Sequence, residues 1–190
     1  MSTLKNKIMF YWLISQRACL SARETFRREF GKEAKIEDVF KYLHKENRKE
    51  WEEWLLMRSI SMTKVFIEKG ADVHAGNDCA LRWAAETGPL EIVKFLINKG
   101  ANIYTNNNSP LMLASRSGHL QIVQFLVEKG AEIHADDDKA LQWAAGYGHL
   151  ETVQFLVRKG ADVHASNDFA LWWATKNEHL EIVEFLSKIK

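Results

Sequence analysis

The sequence predicts an all-α solenoid of stacked helix-turn-helix units. Three observations predict it: a motif that recurs every 30 residues, two apolar stripes at helical spacing in each period, and a glycine after each stripe. The motif reads Leu90-Glu91-Ile92-Val93-Lys94-Phe95-Leu96, then Leu120-Gln121-Ile122-Val123-Gln124-Phe125-Leu126. It returns as Leu150-Glu151-Thr152-Val153-Gln154-Phe155-Leu156 and as Leu180-Glu181-Ile182-Val183-Glu184-Phe185-Leu186. Lys69-Gly70-Ala71, Lys99-Gly100-Ala101, Lys129-Gly130-Ala131 and Lys159-Gly160-Ala161 keep the same period. In-phase self-similarity of this length marks a stacked array.

Within one period, Leu81, Ala84 and Ala85 fall at i, i+3 and i+4, a narrow stripe whose alanines admit a close neighbour. Gly88 ends that first helix. The second helix carries Ile92, Val93, Phe95 and Leu96 on a wide apolar face. Gly100 follows where a helix ends in the left-handed conformation, and Lys99 suits the negative end of the helix dipole. Asn106-Asn107-Asn108 then supplies turn chemistry. One such pair cannot bury its own apolar face, so stability comes from neighbour interfaces.

The array divides into a helical leader over 1–45, a degenerate capping unit over 46–75, and full units over 76–105, 106–135 and 136–165. A truncated capping unit over 166–190 closes it, ending on the polar Ser187-Lys188-Ile189-Lys190. In the leader, Ile36, Val39, Phe40 and Leu43 share a helical face, and Phe26 and Phe30 make a shorter stripe. We read the leader as packing on the first unit; a separate binding or targeting role is the alternative. In the unit 46–75, Trp51, Trp54 and Leu55 replace the alanine pattern, as in a cap.

These residues carry a family resemblance. Ser109-Pro110-Leu111-Met112-Leu113-Ala114-Ser115-Arg116-Ser117-Gly118-His119-Leu120-Gln121-Ile122-Val123 resembles the ankyrin-repeat pattern, and Gly130-Ala131-Glu132-Ile133-His134-Ala135 is similar to its closing segment. The likeness covers roughly 60–190. Trp83-Ala84-Ala85 and Trp143-Ala144-Ala145 look most like the ankyrin arrays of giant DNA viruses, with a bacterial or phage origin as the alternative. The family's repeat is about 33 residues. Aligning Gly70 and Leu81 with their counterparts places the three missing residues where ankyrin repeats build a β-hairpin finger. The resemblance therefore implies shortened or absent fingers, with partners bound in the concave groove of the first helices. Some viral relatives add an F-box-like segment after the array; residues for one are lacking here, which weighs against a ubiquitin-ligase adaptor of the usual form.

Composition narrows the function classes. Net charge is +1, which gives the whole chain no field for nucleic acid or anionic lipid. Residues 1–50 hold 12 Lys/Arg against 7 Asp/Glu, and residues 51–190 hold 14 against 18. The basic leader makes a nucleic-acid-binding module the rival reading; a solvated helical face is the reading we take. Cys19 and Cys79 form no framework, which implies a reducing, intracellular and cytoplasmic setting (the host cytoplasm for a viral protein). The apolar stretch from Ile8 to Ile14 is too short to span a bilayer. It reads as a short amphipathic or buried helix, with a weak signal-peptide core before Ala18-Cys19-Leu20-Ser21-Ala22 as the alternative.

No phosphate loop, nucleophile elbow or calcium loop is present, Asp136-Asp137-Asp138 being a turn run, so we expect neither enzyme activity nor a cofactor. His119, His149 and His179 recur every 30 residues, and His74, His134 and His164 keep the same register with Tyr104 interrupting it. Neighbouring pairs stand about 8–10 Å apart, whereas zinc needs all its ligands near 2 Å, so these ladders read as structural and no metal is expected.

Trp83, Trp143 and Trp173 share a register with Leu113 and read as a partly buried hydrophobic ladder, with partner contact as the alternative. If Leu81, Ala84 and Ala85 are buried, Arg82 and Glu86 point away. Their equivalents are Met112 and Arg116, Gln142 and Gly146, Trp172 and Lys176; the next column is Thr87, Ser117, Tyr147 and Asn177. These columns vary while the core does not, as on a scaffold with a tailored surface; a drifting solvent face is the alternative. The candidate partner-binding set is Arg82, Glu86, Thr87, Met112, Arg116, Ser117, Gln142, Tyr147, Trp172, Lys176 and Asn177. An aromatic at Trp172, in a column otherwise polar or adaptable, is read as an exposed hot spot. The sequence thus predicts a monomeric, non-membrane, protein-binding scaffold (adaptor, decoy or inhibitor) for a protein partner.

Overall fold

A computed structural model describes residues 63–64, 67–68 and 71–189. The leader 1–45, most of the unit 46–75, the stretch from Ile8 to Ile14, Cys19, Trp51 and Trp54 lie outside the described residues. From Ala75 the chain runs through eight helices: α1 (Ala75–Thr87), α2 (Leu90–Asn98), α3 (Thr105–Arg116), α4 (Leu120–Glu128), α5 (Ala135–Gly146), α6 (Leu150–Arg158), α7 (Ala165–Lys176) and α8 (Leu180–Ser187). Among the described residues there is no strand, so the fingers are absent.

A left-handed hook stands where the finger would be. Gly76, Asn77 and Asp78 have φ of 58°, 54° and 52°; right-handed helix begins only at position 79. The same run occurs at Asn106-Asn107-Asn108, Asp136-Asp137-Asp138 and Ser166-Asn167-Asp168. Each hook closes on itself: the third residue's N–H donates to the carbonyl four residues before, as from Asp78 to His74 at 3.2 Å and from Asp138 to His134 at 3.4 Å. An L-residue in this region costs about 1–2 kcal/mol, less for Asn and Asp and none for Gly. Of the twelve hook positions only Ser166 is neither Gly, Asn nor Asp.

In the first three hooks the third side chain turns inward and ties the start of its unit to the segment that leads into the next. Asp78, Asn108 and Asp138 are buried. Their Oδ1 atoms accept the N–H of Asn102, Glu132 and Asp162, 24 residues on, at 2.9, 2.9 and 3.0 Å. Asp78 and Asp138 also accept from the Nδ1 of His74 and His134 at 3.0 and 3.1 Å.

The helices stack in two layers. Leu81, Ala84 and Ala85 of α1, with their equivalents Leu111 and Ala114 in α3 and Leu141, Ala144 and Ala145 in α5, are fully buried. Alanine keeps the odd helices close, and they pack on one another far more extensively than the even helices do. Ile92, Val93 and Leu96 of α2, and their counterparts in α4, close the core from the other layer. Each buried Leu or Ile contributes about 1.5–3 kcal/mol.

Glycine stops both helix types. Gly100 has φ 100°, with its N–H on the Ile97 carbonyl and that of Ala101 on Leu96, each at 3.0 Å. This paired closure explains the Lys-Gly-Ala repeat. Its lysine has a further role: Lys99, Lys129 and Lys159 hold Nζ 5.6–5.8 Å from the ring centres of Phe95, Phe125 and Phe155, four residues before. After the odd helices, Gly88 and Gly148 have φ 92° and 84°, and a Cβ there would meet the rings of His119 and His179 at 2.6 and 2.7 Å. In the last unit Glu178 takes this position at φ 60°.

Two tests follow from this geometry. Asp138→Ala leaves the Asp162 N–H without its acceptor, and should cost about 2 kcal/mol in urea unfolding. Asp138→Asn, which retains the acceptor as Asn108 does, should lose less than half as much. Gly148→Ala should cost about 2 kcal/mol, from positive φ and the displaced ring, while Glu178→Gly should stabilise by up to about 1 kcal/mol. Equal effects of the two Asp138 variants, or a neutral Gly148→Ala, would contradict the hook and ring assignments.

Candidate partner-binding face

The face in question is built by the odd helices. Their buried stripe fixes the phase, so the columns around it can be followed from unit to unit. The column Arg82, Met112, Gln142, Trp172 departs from the sequence expectation. Met112 and Gln142 are buried, at 7% and 4% exposure, and Arg82 is half-buried. The hook is the cause. Arg82 donates from Nε to the Asn77 carbonyl at 3.1 Å and from Nη2 to that of Gly76 at 2.9 Å. Gln142 donates to the Asp137 carbonyl at 2.6 Å. Arg82 and Gln142 thus fold back to satisfy hook carbonyls that a left-handed turn leaves open, and Met112 is buried without such a bond. Trp172 is the exception, at 52% exposure.

The column Glu86, Arg116, Gly146, Lys176 lies beside it. The Arg116 guanidinium pairs with the Glu86 carboxylate one unit back. Its Cζ also stands 5.2 Å from the ring centre of Trp143 one unit ahead, so Arg116 spans three units. Gly146 is buried: Trp173 lies against it closely enough that any Cβ would collide with the indole. The Gly146 carbonyl accepts from Asn177 Nδ2 at 2.6 Å and from His179 Nε2 at 3.1 Å. Thr87, Tyr147, Lys176 and Asn177 are exposed, and Ser117 is half-buried.

Aromatic rings converge at the C-terminal half of the face. Tyr147, 51% exposed, meets Trp173 edge-on with centroids 5.6 Å apart. Trp173 lies 5.7 Å from Phe169, and Phe169 lies 5.2 Å from Trp172. Phe169 was missed from the sequence. Its register holds Cys79, Ser109 and Lys139, and that variation was the available signal. Trp83, Leu113, Trp143 and Trp173 are half-buried, so each leaves part of its side chain on the face.

The histidines have protein partners. His119, His149 and His179 donate from Nε2 to the carbonyls of Glu86, Arg116 and Gly146 at 3.0, 2.8 and 3.1 Å, which ties each turn to the helix end one unit back. His164 pairs with Asp168 at 2.6 Å. Among the described residues no cluster of three or more His, Cys, Asp or Glu side chains is placed to hold a metal ion. None of their helices is long and apolar enough to cross a membrane.

Comparison with known proteins agrees with this architecture. The family model described as ankyrin repeats (3 copies) matches residues 35–137 and again 132–190. The match is to the repeat as a class and specifies no source. No curated protein matches the chain.

Gly146→Ala offers a check on the face. The added methyl should expel Trp173 from its seat, alter the near-ultraviolet circular dichroism of the Tyr147–Trp173 pair and cost about 2 kcal/mol. Unchanged near-ultraviolet signal in a folded variant would show that Trp173 does not rest on Gly146.

Proposed function

The chain belongs to the ankyrin-repeat family, and from that premise we propose that it is a non-catalytic scaffold that binds a protein partner on its odd-helix face. Proteins of this kind act by occupancy, as adaptors, decoys or inhibitors. Several features support the reading. The core positions repeat almost unchanged while the face positions differ in every unit. The odd helices pack more closely than the even ones, so their layer is the inner side of the stack. A rigid, continuous surface lowers the entropic cost of ordering on binding.

The observation that carries the proposal is the half-exposed pair Tyr147 and Trp172, linked through Trp173 and Phe169 into one aromatic surface. Large aromatics left in water dominate binding energy where they recur at interfaces. The contact residues proposed are therefore the accessible ones: Glu86, Thr87, Arg116, Ser117, Tyr147, Trp172, Lys176 and Asn177. Arg82 and Gln142 satisfy the hooks, and Met112 is buried, so these three are left out of the contact set.

A pull-down comparing wild type with the triple variant Trp172→Ala, Tyr147→Ala, Arg116→Ala tests this. All three side chains are at least partly exposed, so the helical circular dichroism should persist. Partner capture should fall at least tenfold. Equal capture of every partner by both proteins would refute the odd-helix face as the working surface.

A further inference from the structure

We propose that the C-terminal half of this face takes an acidic peptide segment carrying an aromatic or proline anchor beside its carboxylates. The inference rests on the reading of the odd-helix face as a protein-recognition surface, and it names the chemistry of the occupant.

Its basis is the unequal state of the cations on the face. Arg116 is paired with Glu86, and Lys139 with Asp136 at 3.3 Å. Arg82 has two backbone carbonyls of its own hook. Lys176 differs. It is exposed, and among the described residues it forms no ion pair, although Glu178 is only two positions on. Its Nζ stands 5.0 Å from the ring centre of Trp172.

An ammonium held over an indole keeps its outward N–H donors in water. A carboxylate delivered there gains a charge-assisted hydrogen bond and breaks no existing pair. The next surface the same segment meets is Trp172 with Phe169, then Trp173 with Tyr147. Flat rings with few rotors take proline or aromatic side chains well. An acid next to such an anchor therefore matches the order of groups on the protein: cation, then rings. The acidic balance of residues 51–190 does not oppose this at physiological salt, where exposed charges act over about 8 Å.

The test is selection of a phage-displayed library of random 12-residue peptides against the full chain. Enriched peptides should carry more Asp and Glu than Lys and Arg, with an aromatic or proline beside an acid. Resynthesised, they should bind at least tenfold more weakly to Trp172→Ala and at least fivefold more weakly to Lys176→Glu, a charge reversal on an exposed side chain. Affinity for wild type should fall as salt rises. Enriched peptides that are neutral or basic, or that ignore Lys176→Glu yet are lost on Tyr147→Ala or Arg116→Ala, would overturn the acidic assignment and leave the face as a recognition surface. Failure to enrich any peptide sensitive to Trp172, Tyr147 or Arg116 would count against both.

Discussion

Three successive residues at positive φ before each odd helix are the constraint on which the rest of the array depends. Left-handed backbone is costly for most side chains. The chain meets the cost with Gly, Asn and Asp at nearly every such position, and in the first three hooks it returns with the third side chain buried. That side chain accepts a backbone N–H 24 residues on, in the segment that leads to the next odd helix, in three successive units. A single local conformation thereby shortens the connection and anchors the segment that enters the following unit.

A second linkage runs along the other end of the odd helices. His119, His149 and His179 each reach back 33 residues to a helix-end carbonyl. Each ring lies over the preceding unit's glycine, which is why a side chain at Gly88 or Gly148 has no room. Hook and histidine therefore pin α1, α3 and α5 at both ends. The even helices are held more loosely to one another, through residues such as Lys64 and Lys94, whose Nζ atoms stand 5.7 and 6.0 Å from the ring centres of Phe95 and Phe125 in the next unit. Stability that resides in such repeated junctions leaves the odd-helix face freer to vary, since none of its side chains makes the hook or histidine bonds.

That freedom is unevenly used. In the N-terminal half the charged side chains of the face are internally satisfied, with Arg116 paired to Glu86 and lying beside Trp143. In the C-terminal half the same columns carry exposed rings and an ammonium, Lys176, that lies over Trp172 without an ion pair among the described residues. The difference arises from a few substitutions: glycine at position 146 makes a seat for Trp173, and tryptophan at position 172 occupies a slot that Gln142 uses to satisfy its hook. Chemistry specific to this chain is concentrated there.

By itself the sequence determined the architecture. The 30-residue period, the alanine stripe and the paired glycines can be read directly from the residues, the shortened or absent finger is what the ankyrin resemblance implies, and the Asn/Asp runs mark the turns. Helix periodicity also identified the columns beside Leu81, Ala84 and Ala85. What it did not determine is which columns meet solvent. Periodicity reports which side of a helix faces its stripe, but burial also depends on what returns over the helix from elsewhere. Here the hook does so for Arg82 and Gln142, drawing them onto its carbonyls, and Met112 is buried as well. Only the tertiary structure decided this, and likewise that Phe169 joins the rings, because both are set by side chains meeting across turns and units rather than along one helix.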